Sequence, residues 1–444
     1  MKTTTKLIVL MLLFVSLTGR AQDGYSLLEA EDFAIAHNEK VKNASLDITA
    51  AEKKIIETTA IGLPQVNVEG QFQQLIDIPV SVVDATLFNP LAEPGSVMEF
   101  QMGQEFTTNL SIGVNQLLFD GSYIVGLQFS KFYKKMSETM MDKTKLEVKA
   151  MVREAYYNIL VAKKNVDLLD SIAVTTKMLW EQSQIYYENG FILKEDLDQF
   201  ELTYNRMQQS QSNALSQLTI AKNLLKLQMG VDLMSDIELT DTFDGLLAEI
   251  ETNNPALQNL SIEDNMTYIM VSQQKTLDEF SLKNEKAAYL PSAYAFFNHS
   301  QNAFRSEFDF FQNKPWYPTT VWGLGVKIPV MSSGQRLMKV QQAEIKLQQD
   351  ENNLTQLENS LKFQELQLKA MFLNAYDKMQ IEEKNVLLSH NIYDKSVARK
   401  NEGATSAINV TQKQSQLLQA EGSYIAAVME MLTYKLELDK LNNK

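Results

Sequence analysis

The residues best able to do chemistry in this 444-residue chain are its three histidines and its adjacent acids. His37, His299 and His390 could bind a metal or move protons, but no two have the spacing that places both rings on one helix face. Glu382 and Glu383 lie on a predicted exposed helix face. The chain lacks cysteine, and it contains none of the glycine-rich or nucleophile motifs of nucleotide-binding and hydrolytic enzymes. The sequence therefore predicts neither an enzyme nor a bound metal or cofactor.

The charge and the N-terminal segment indicate where the protein works. The formal net charge of −14 argues against nucleic acid as a partner. Lys2 and Lys6 precede an apolar run from Leu7 to Leu17, and Gly19-Arg20-Ala21 follows this run. This order is typical of a cleavable secretory signal over residues 1–21. We therefore expect an exported protein.

Four segments alternate between apolar and small or polar residues, as strands do. No segment after the signal has the ~18 consecutive apolar residues of a membrane-spanning helix, so strands would have to cross any membrane. An ordinary sheet on a soluble core explains any one segment better, but the four together favour barrel strands between lipid and water. Four strands are too few to close a barrel, so other copies must complete it. Three copies would supply twelve strands and two would supply eight, but a wide duct favours three. The predicted strands cover about 65–75, 108–116, 292–298 and 321–328.

Long helices account for most of the remaining chain. The segment from Tyr123 to Tyr187 has no proline and one glycine, so a continuous helix there would be roughly 100 Å long. Val148, Val152 and Ala155 begin a stripe with heptad spacing, which predicts a packing surface. The predicted long helices cover about 121–188, 195–229, 334–401 and 404–441.

The same order of elements occurs twice along the chain. Leu63-Pro64 precedes the first predicted strand, and Leu290-Pro291 precedes the third. The first half has about 15 extra residues between its two strands, which predicts a surface loop. We therefore divide the chain into a signal (1–21), a first repeat (22–229), a linker or equatorial segment (230–265) and a second repeat (266–444).

This duplicated organisation resembles the TolC-type outer-membrane efflux proteins. The resemblance covers nearly all of residues 25–441 and rests on the Leu-Pro pairs, the turns at Phe119-Asp120-Gly121 and Ser333-Gly334, and the hairpin tips at Gly190 and Gly403. It implies an α+β membrane protein, a homotrimer whose twelve-stranded β-barrel lies in the lipid of the Gram-negative outer membrane and continues as a periplasmic α-helical barrel. It also implies a passive exit duct for efflux or type I secretion. Such a duct conducts small molecules or polypeptides that a periplasmic adaptor and an inner-membrane pump deliver.

The resemblance also implies which residues line the narrow periplasmic aperture. In the family, acidic residues six and nine positions after the second tip glycine surround this aperture, but here those positions are Asn409 and Gln412, which are neutral. Asp196 lies six positions after Gly190 and matches the acid of the first half. We expect a gating role for Asp196. An acid that is simply favoured at a helix N-terminus is an equal alternative.

Three aromatic residues beside the fourth strand suggest contact with the membrane surface. We expect Trp316, Tyr317 and Trp322 to form an interfacial aromatic belt near the outer leaflet. The alternative for Trp322 is an ordinary position in a core.

The sequence leaves two other functions open. A periplasmic coiled-coil adaptor also uses helical hairpins, but it would have no lipid-facing strands and would be water-soluble. A secreted enzyme with a helical insertion would need a cluster of polar site residues, which the sequence does not reveal.

Overall fold

The computed structural model describes residues 24–443, so the predicted signal over residues 1–21 lies outside the described part. Two short 3-10 helices occur at Ala85–Leu87 and Pro255–Leu257. The α-helices are α1 (Leu27–His37), α2 (Glu39–Ile61), α3 (Gly121–Glu188), α4 (Lys194–Met229), α5 (Phe243–Thr252), α6 (Met266–Ala287), α7 (Gln335–Asn401) and α8 (Ala407–Leu441). The strands are β1 (Gln65–Gln74), β2 (Val80–Asp84), β3 (Val97–Gln101), β4 (Phe106–Phe119), β5 (Ser292–Arg305) and β6 (Tyr317–Lys327).

The chain forms two compact units, and each combines segments from both predicted repeats. One unit consists of Thr49–Lys135 and Gln273–Glu351 and contains all the strands; we call it the sheet unit. The other consists of Met136–Ser272, Asn352–Lys444 and the residues up to Ile48; we call it the helical unit. Within residues 24–443, no helix is both long and apolar enough to cross a membrane.

Four antiparallel strands in the order β1-β4-β5-β6 make the main sheet of the sheet unit. The sequence predicted this strand only to 298, because His299 and Gln301 interrupt the alternation of apolar residues. In the structure, β5 continues to Arg305. The extra residues of the first half were predicted as a surface loop. Instead, β2 and β3 pair within them as a separate two-stranded sheet.

Apolar side chains hold the helical unit together in two clusters. The larger cluster includes Val152, Tyr156 and Leu225, and the smaller includes Leu179 and Phe200. Helix α8 contributes to both clusters through a row of buried residues with heptad spacing, which we call the seam. Residues spaced alternately three and four positions apart lie on the same face of a helix. The seam consists of Ala407, Val410, Gln414, Leu417, Glu421, Tyr424, Val428, Met431, Lys435 and Leu438.

The segment predicted as a linker or equatorial segment, 230–265, is part of the helical unit. It contains α5, whose side chains Phe243, Leu246 and Ile250 are buried in the larger cluster. The backbone N–H of Tyr25 donates to the carbonyl of Glu238 at 2.9 Å, which joins this segment to the start of the described chain. Side-chain packing therefore orders a segment in which the sequence shows no clear period.

Candidate functional site

The main sheet has one face that is largely apolar and exposed, which we call the apolar face. Residues that are paired across antiparallel strands point to the same side, so the register assigns every side chain to a face. Trp322, for example, is paired with Phe297, and Phe297 with Val114, which is paired with Val66. The large apolar side chains of this face are Val66, Val68, Phe72, Phe106, Leu110, Ile112, Val114, Phe297, Trp322, Leu324 and Val326. An exposed apolar surface of this extent marks an interaction site.

The opposite face, which we call the polar face, carries amides, hydroxyls and a carboxylate. Nδ2 of Asn109 donates to Oδ1 of Asn302 at 2.7 Å between β4 and β5. The strand residues that define the polar face are Asn67, Glu69, Gln71, Asn109, Ser111, Asn298, Ser300, Asn302 and Lys327. An apolar side opposite a polar side is what a strand between lipid and water needs.

Two aromatic rings lie on the polar face and explain the glycines of β6. The sequence placed Tyr294 and Phe296 on one face of the third strand, and the register shows that this is the polar face, opposite Gly325 and Gly323. A Cβ atom on Gly325 would lie 2.2 Å from the ring of Tyr294, and one on Gly323 would lie 2.9 Å from the ring of Phe296. Both rings therefore need glycine beneath them.

The residues of the expected aromatic belt do not share one face. Tyr317 and Trp322 are an odd number of positions apart in β6, so they lie on the polar and apolar faces respectively. Trp322 is 76% exposed, which excludes a core position within a single chain. Trp316 precedes β6 and is also partly exposed, at 37%. Of the two residues that lie in β6, Trp322 is the one on the face suited to lipid.

A cluster of phenylalanine rings lies at the Phe106 end of β4, and the sequence did not predict it. The ring centroids of Phe72 and Phe308 are 5.7 Å apart, and those of Phe308 and Phe310 are 5.6 Å apart. Nε of Arg305 lies 3.2 Å from Oδ1 of Asp309 in the loop that carries these rings. The cluster joins residues that are far apart in the chain, so no local pattern could indicate it.

The two tip glycines form the same turn at the ends of their helices. Gly190 has a φ of 76° and Gly403 a φ of 74°, in the left-handed region. After Gly190, the N–H of Phe191 donates to the carbonyl of Tyr186 at 2.8 Å, and Ala404 and Arg399 form the equivalent bond at 2.8 Å. These are the hydrogen bonds of a Schellman motif. The structure thus has matching turns at both predicted tips.

The three aperture residues lie in the first turns of the helices that follow these glycines. Asp196 is half-buried in the first turn of α4, while Asn409 and Gln412 are exposed near the start of α8. Gln412 lines a cleft of about 400 Å³ with Gln199 and Arg206. Within the described chain, no side-chain hydrogen bond or ion pair joins any two of the three.

Three polar residues of the α8 seam are buried in the bundle, and sequence analysis did not identify them. Nε2 of Gln414 donates to Oγ1 of Thr176 at 2.6 Å, and Nζ of Lys435 donates to Oδ2 of Asp439 at 2.7 Å. Glu421 lies between them, only 4% exposed, and its Oε2 accepts no hydrogen bond. Burial raises the pKa of Glu421 to about 7, although the nearby His390 opposes this shift. The heptad spacing of α8, read from residue 407 onward, could have indicated these positions.

A second buried polar cluster joins three helices of the helical unit. Nη2 of Arg153 on α3 lies 2.7 Å from Glu31 on α1, and its Nη1 lies 3.2 Å from Asp439 on α8. Burial opposes the charge of Arg153, but Glu31 and Asp439 hold the pKa of this guanidinium above its ordinary value. These ion pairs connect the beginning and end of the described chain through α3.

Comparisons with known proteins point to one family. Residues 32–231 match the family model described as Outer membrane efflux protein. VceC from Vibrio cholerae has 12% identity, with 94% of this chain and 96% of that chain covered and a TM-score of 0.65. The Campylobacter jejuni CmeC outer membrane channel has 14% identity, with 95% and 86% covered and a TM-score of 0.66. The Neisseria gonorrhoeae MtrE outer membrane channel has 15% identity, with 94% and 88% covered and a TM-score of 0.68. A comparison with curated proteins gives no match.

The two kinds of match carry different information. Sequence identities this low show a shared fold alone. The family model, in contrast, describes proteins of efflux, which is a transport function. Neither comparison supports a periplasmic adaptor, and the matched family is one of channels rather than enzymes. The match over residues 32–231 and the fold shared along nearly the whole chain confirm the predicted resemblance to the TolC-type outer-membrane efflux proteins.

Proposed function

We propose that the chain works as a homotrimer, in which three four-stranded sheets close a twelve-stranded barrel in the outer membrane. The observation that carries this proposal is the combination of an exposed apolar face with two open edges, β1 and β6, on one sheet. Each unpaired backbone group costs several kcal/mol in lipid, so a sheet with free edges is not stable there. Pairing between copies removes every free edge, and three copies supply an even number of strands.

In this arrangement the polar face lines the water-filled lumen. Asn109, Asn302 and their polar neighbours would keep water and solutes in contact with hydrogen-bonding groups. The apolar face, including Trp322, would contact the lipid. Passage through such a duct needs no chemistry, because the shape and charge of the wall decide what passes.

The duct would depend on partners for energy and delivery. We infer that an inner-membrane pump supplies the energy and that a periplasmic adaptor docks at the tips near Gly190 and Gly403. Both tips present exposed apolar side chains, with Phe191 77% and Leu193 71% exposed after the first glycine. Opening would then be a loosening of the tip helices that adaptor contacts favour, since packed helices switch between discrete arrangements.

Asp196, Asn409 and Gln412 would surround the aperture in the trimer. Two of these three positions are amides, so each chain would bring one carboxylate to the ring. We therefore expect weaker attraction of cations than an aperture with three acids per chain would show. This composition suits small molecules of either charge, or polypeptides.

Native mass is the measurement that tests the proposal. The mature protein is extracted from outer-membrane fractions in detergent, and light scattering corrected for bound detergent gives its mass. A mass of three chains, together with conductance in planar bilayers, supports the trimeric duct. A single chain recovered in the soluble periplasm contradicts it and favours the adaptor function.

A further inference from the structure

The two edge strands of the main sheet are able to pair with each other in neighbouring copies. The sheet order β1-β4-β5-β6 leaves β1 and β6 without a partner on their outer sides. Neighbouring strands alternate in direction, so β6 of one copy would run antiparallel to β1 of the next. The inference below rests on the proposed trimer and concerns the register of this pairing.

The apolar face indicates how the strands are tilted. On β1 its apolar residues lie between Val66 and Phe72, and on β6 they lie between Trp322 and Val326. Trp322 is level with Val66 across the sheet. Because β1 and β6 run in opposite directions, the apolar residues of β6 extend from this level away from Phe72. The band therefore shifts by about two residues per strand, which corresponds to a tilt of roughly 50° at ~3.3 Å per residue and ~4.8 Å between strands. Strands of membrane barrels tilt by ~35–45°, so this band is somewhat steeper than that range.

Extending the band by one more strand gives a register between copies. The apolar residues of β1 in the next copy stay in the lipid only if they are displaced from those of β6 by about two more residues in the same direction. This register places Leu324 opposite Phe72 and Val326 opposite Gly70 of the next copy. On the polar face, it places Lys327 opposite Glu69.

The charges on the polar face lead to the same register independently. Among the residues of the four described strands, Glu69 and Lys327 are the only charged side chains on this face. They have opposite signs and lie on the two edge strands. Both are exposed, and within residues 24–443 neither forms an ion pair. Opposite charges directly across an antiparallel pair stabilise it, by roughly 0.2–1 kcal/mol.

We propose that β6 of one copy pairs with β1 of the next in the register that places Lys327 opposite Glu69. A shift by one residue is excluded, because it would move apolar side chains to the polar face. A shift by two residues keeps the faces but places Lys327 opposite Asn67 or Gln71, which separates the charges and displaces the apolar band.

Engineered cysteine pairs test this register without background, because the chain has no cysteine of its own. The test pair is Glu69→Cys with Lys327→Cys, and the shifted pairs combine Lys327→Cys with Asn67→Cys or Gln71→Cys. Asn298→Cys with Val321→Cys is the control, since these residues are paired within one chain and report that oxidation occurs. Membranes are oxidised, and covalent dimers and trimers are quantified on non-reducing gels. The control forms its disulfide within one chain, so its oxidation is measured as the loss of free thiols.

We expect the test pair to give covalent oligomers several times faster than either shifted pair, since paired residues are closer than diagonal ones. Faster cross-linking of a shifted pair, or none by any pair in a protein with the mass of three chains, overturns the register but leaves the trimer intact. A single-chain mass with an oxidised control overturns the proposed function itself.

Charge reversal gives a second test that does not depend on cysteine geometry. Glu69→Lys alone and Lys327→Glu alone should each lower the temperature at which the detergent-solubilised oligomer dissociates. The double variant restores the pair in reversed order and should recover most of that loss. If the double variant loses as much as the two single variants together, Glu69 and Lys327 do not face each other.

Discussion

Gln414 and Thr176 are hydrogen-bonded inside the helical unit, where Nε2 of the amide lies 2.6 Å from the hydroxyl oxygen. Both side chains are at most 2% exposed, and Thr176 also donates to the carbonyl of Ile172 at 2.8 Å. The bond joins α3 to α8 within a seam that is otherwise mainly apolar. Such a bond specifies which residues of the two helices face each other, because a buried amide N–H that loses its acceptor is costly.

Gln414→Leu should therefore destabilise the helical unit, since it removes a hydrogen bond in a buried position. We expect a loss of about 1–3 kcal/mol, measured as a lower midpoint of thermal unfolding. The double variant Gln414→Leu with Thr176→Val replaces both partners with apolar groups of similar shape, and it should recover part of the loss. An unchanged midpoint in the single variant would show that the bond contributes little.

Glu421 should make stability depend on pH. Its folded-state pKa is raised to about 7 from 4.5, with burial as the main cause, so the native state favours the neutral acid. The stability associated with the neutral acid is fully present below pH 4.5 and is lost as the pH rises to about 7. The loss amounts to at most roughly 3 kcal/mol. Glu421→Gln keeps the side chain neutral, so its melting temperature should exceed that of the unmodified protein above pH 7.

The matched control is Glu402→Gln, at an exposed position beside the second tip. It should show the same pH dependence as the unmodified protein. If Glu421→Gln also retains that dependence between pH 4.5 and 7, another group causes it.

Gly403→Ala should destabilise the second hairpin because its φ of 74° is unfavourable for a residue with a Cβ atom. No atom lies within 4 Å of a Cβ built there, so the effect would be conformational, of about 1 kcal/mol. Gly403→Asn should cost less, since asparagine tolerates this region. Gly422→Ala is the control: it lies inside α8 with equal space, and it should stabilise by roughly 0.5–1 kcal/mol. The midpoints of thermal unfolding of the three variants test this prediction. Equal changes at Gly403 and Gly422 would show that the left-handed φ of Gly403 is not the cause.

Gly325→Ala should disturb the polar face, since the new Cβ atom would lie 2.2 Å from the ring of Tyr294. Overpacking of this kind costs about 1–3 kcal/mol. Removing the ring with Tyr294→Ala in the same chain should restore part of the stability that the substitution at Gly325 loses. Gly113→Ala serves as the control, because no atom lies within 4 Å of its Cβ position. Dissociation temperature of the detergent-solubilised protein is the readout, and no recovery in the double variant would contradict the contact.

Asn409→Asp with Gln412→Asp should make the proposed aperture select cations. Carboxylates near a constriction attract cations, so the reversal potential in planar bilayers under a KCl gradient should move toward that of K⁺. Asp196→Ala should shift it in the opposite direction and change the closed-state conductance. Gln416→Asp, further along α8, is the control. If the reversal potential changes equally in this control, the three residues do not form the narrowest point.

Local sequence signals determined much of this fold. The absence of proline from the long segments and the positions of Gly190 and Gly403 predicted α3, α7 and both tips, because helix formation and left-handed turns depend on nearby residues. The order of these elements along the chain was also enough to indicate the family. These features need no knowledge of distant contacts.

The tertiary structure decided the rest, because it concerns residues that are far apart in the chain. Pairing with β4 and β6 extends β5 through His299 and Gln301, where the sequence had lost its alternation. The same pairing places Tyr294 over Gly325 and separates Tyr317 from Trp322. Burial of Gln414 and Glu421 follows from packing around α8, and side-chain polarity alone predicts exposure for both. Register and burial are set by partner strands and helices, so only the folded chain could specify them.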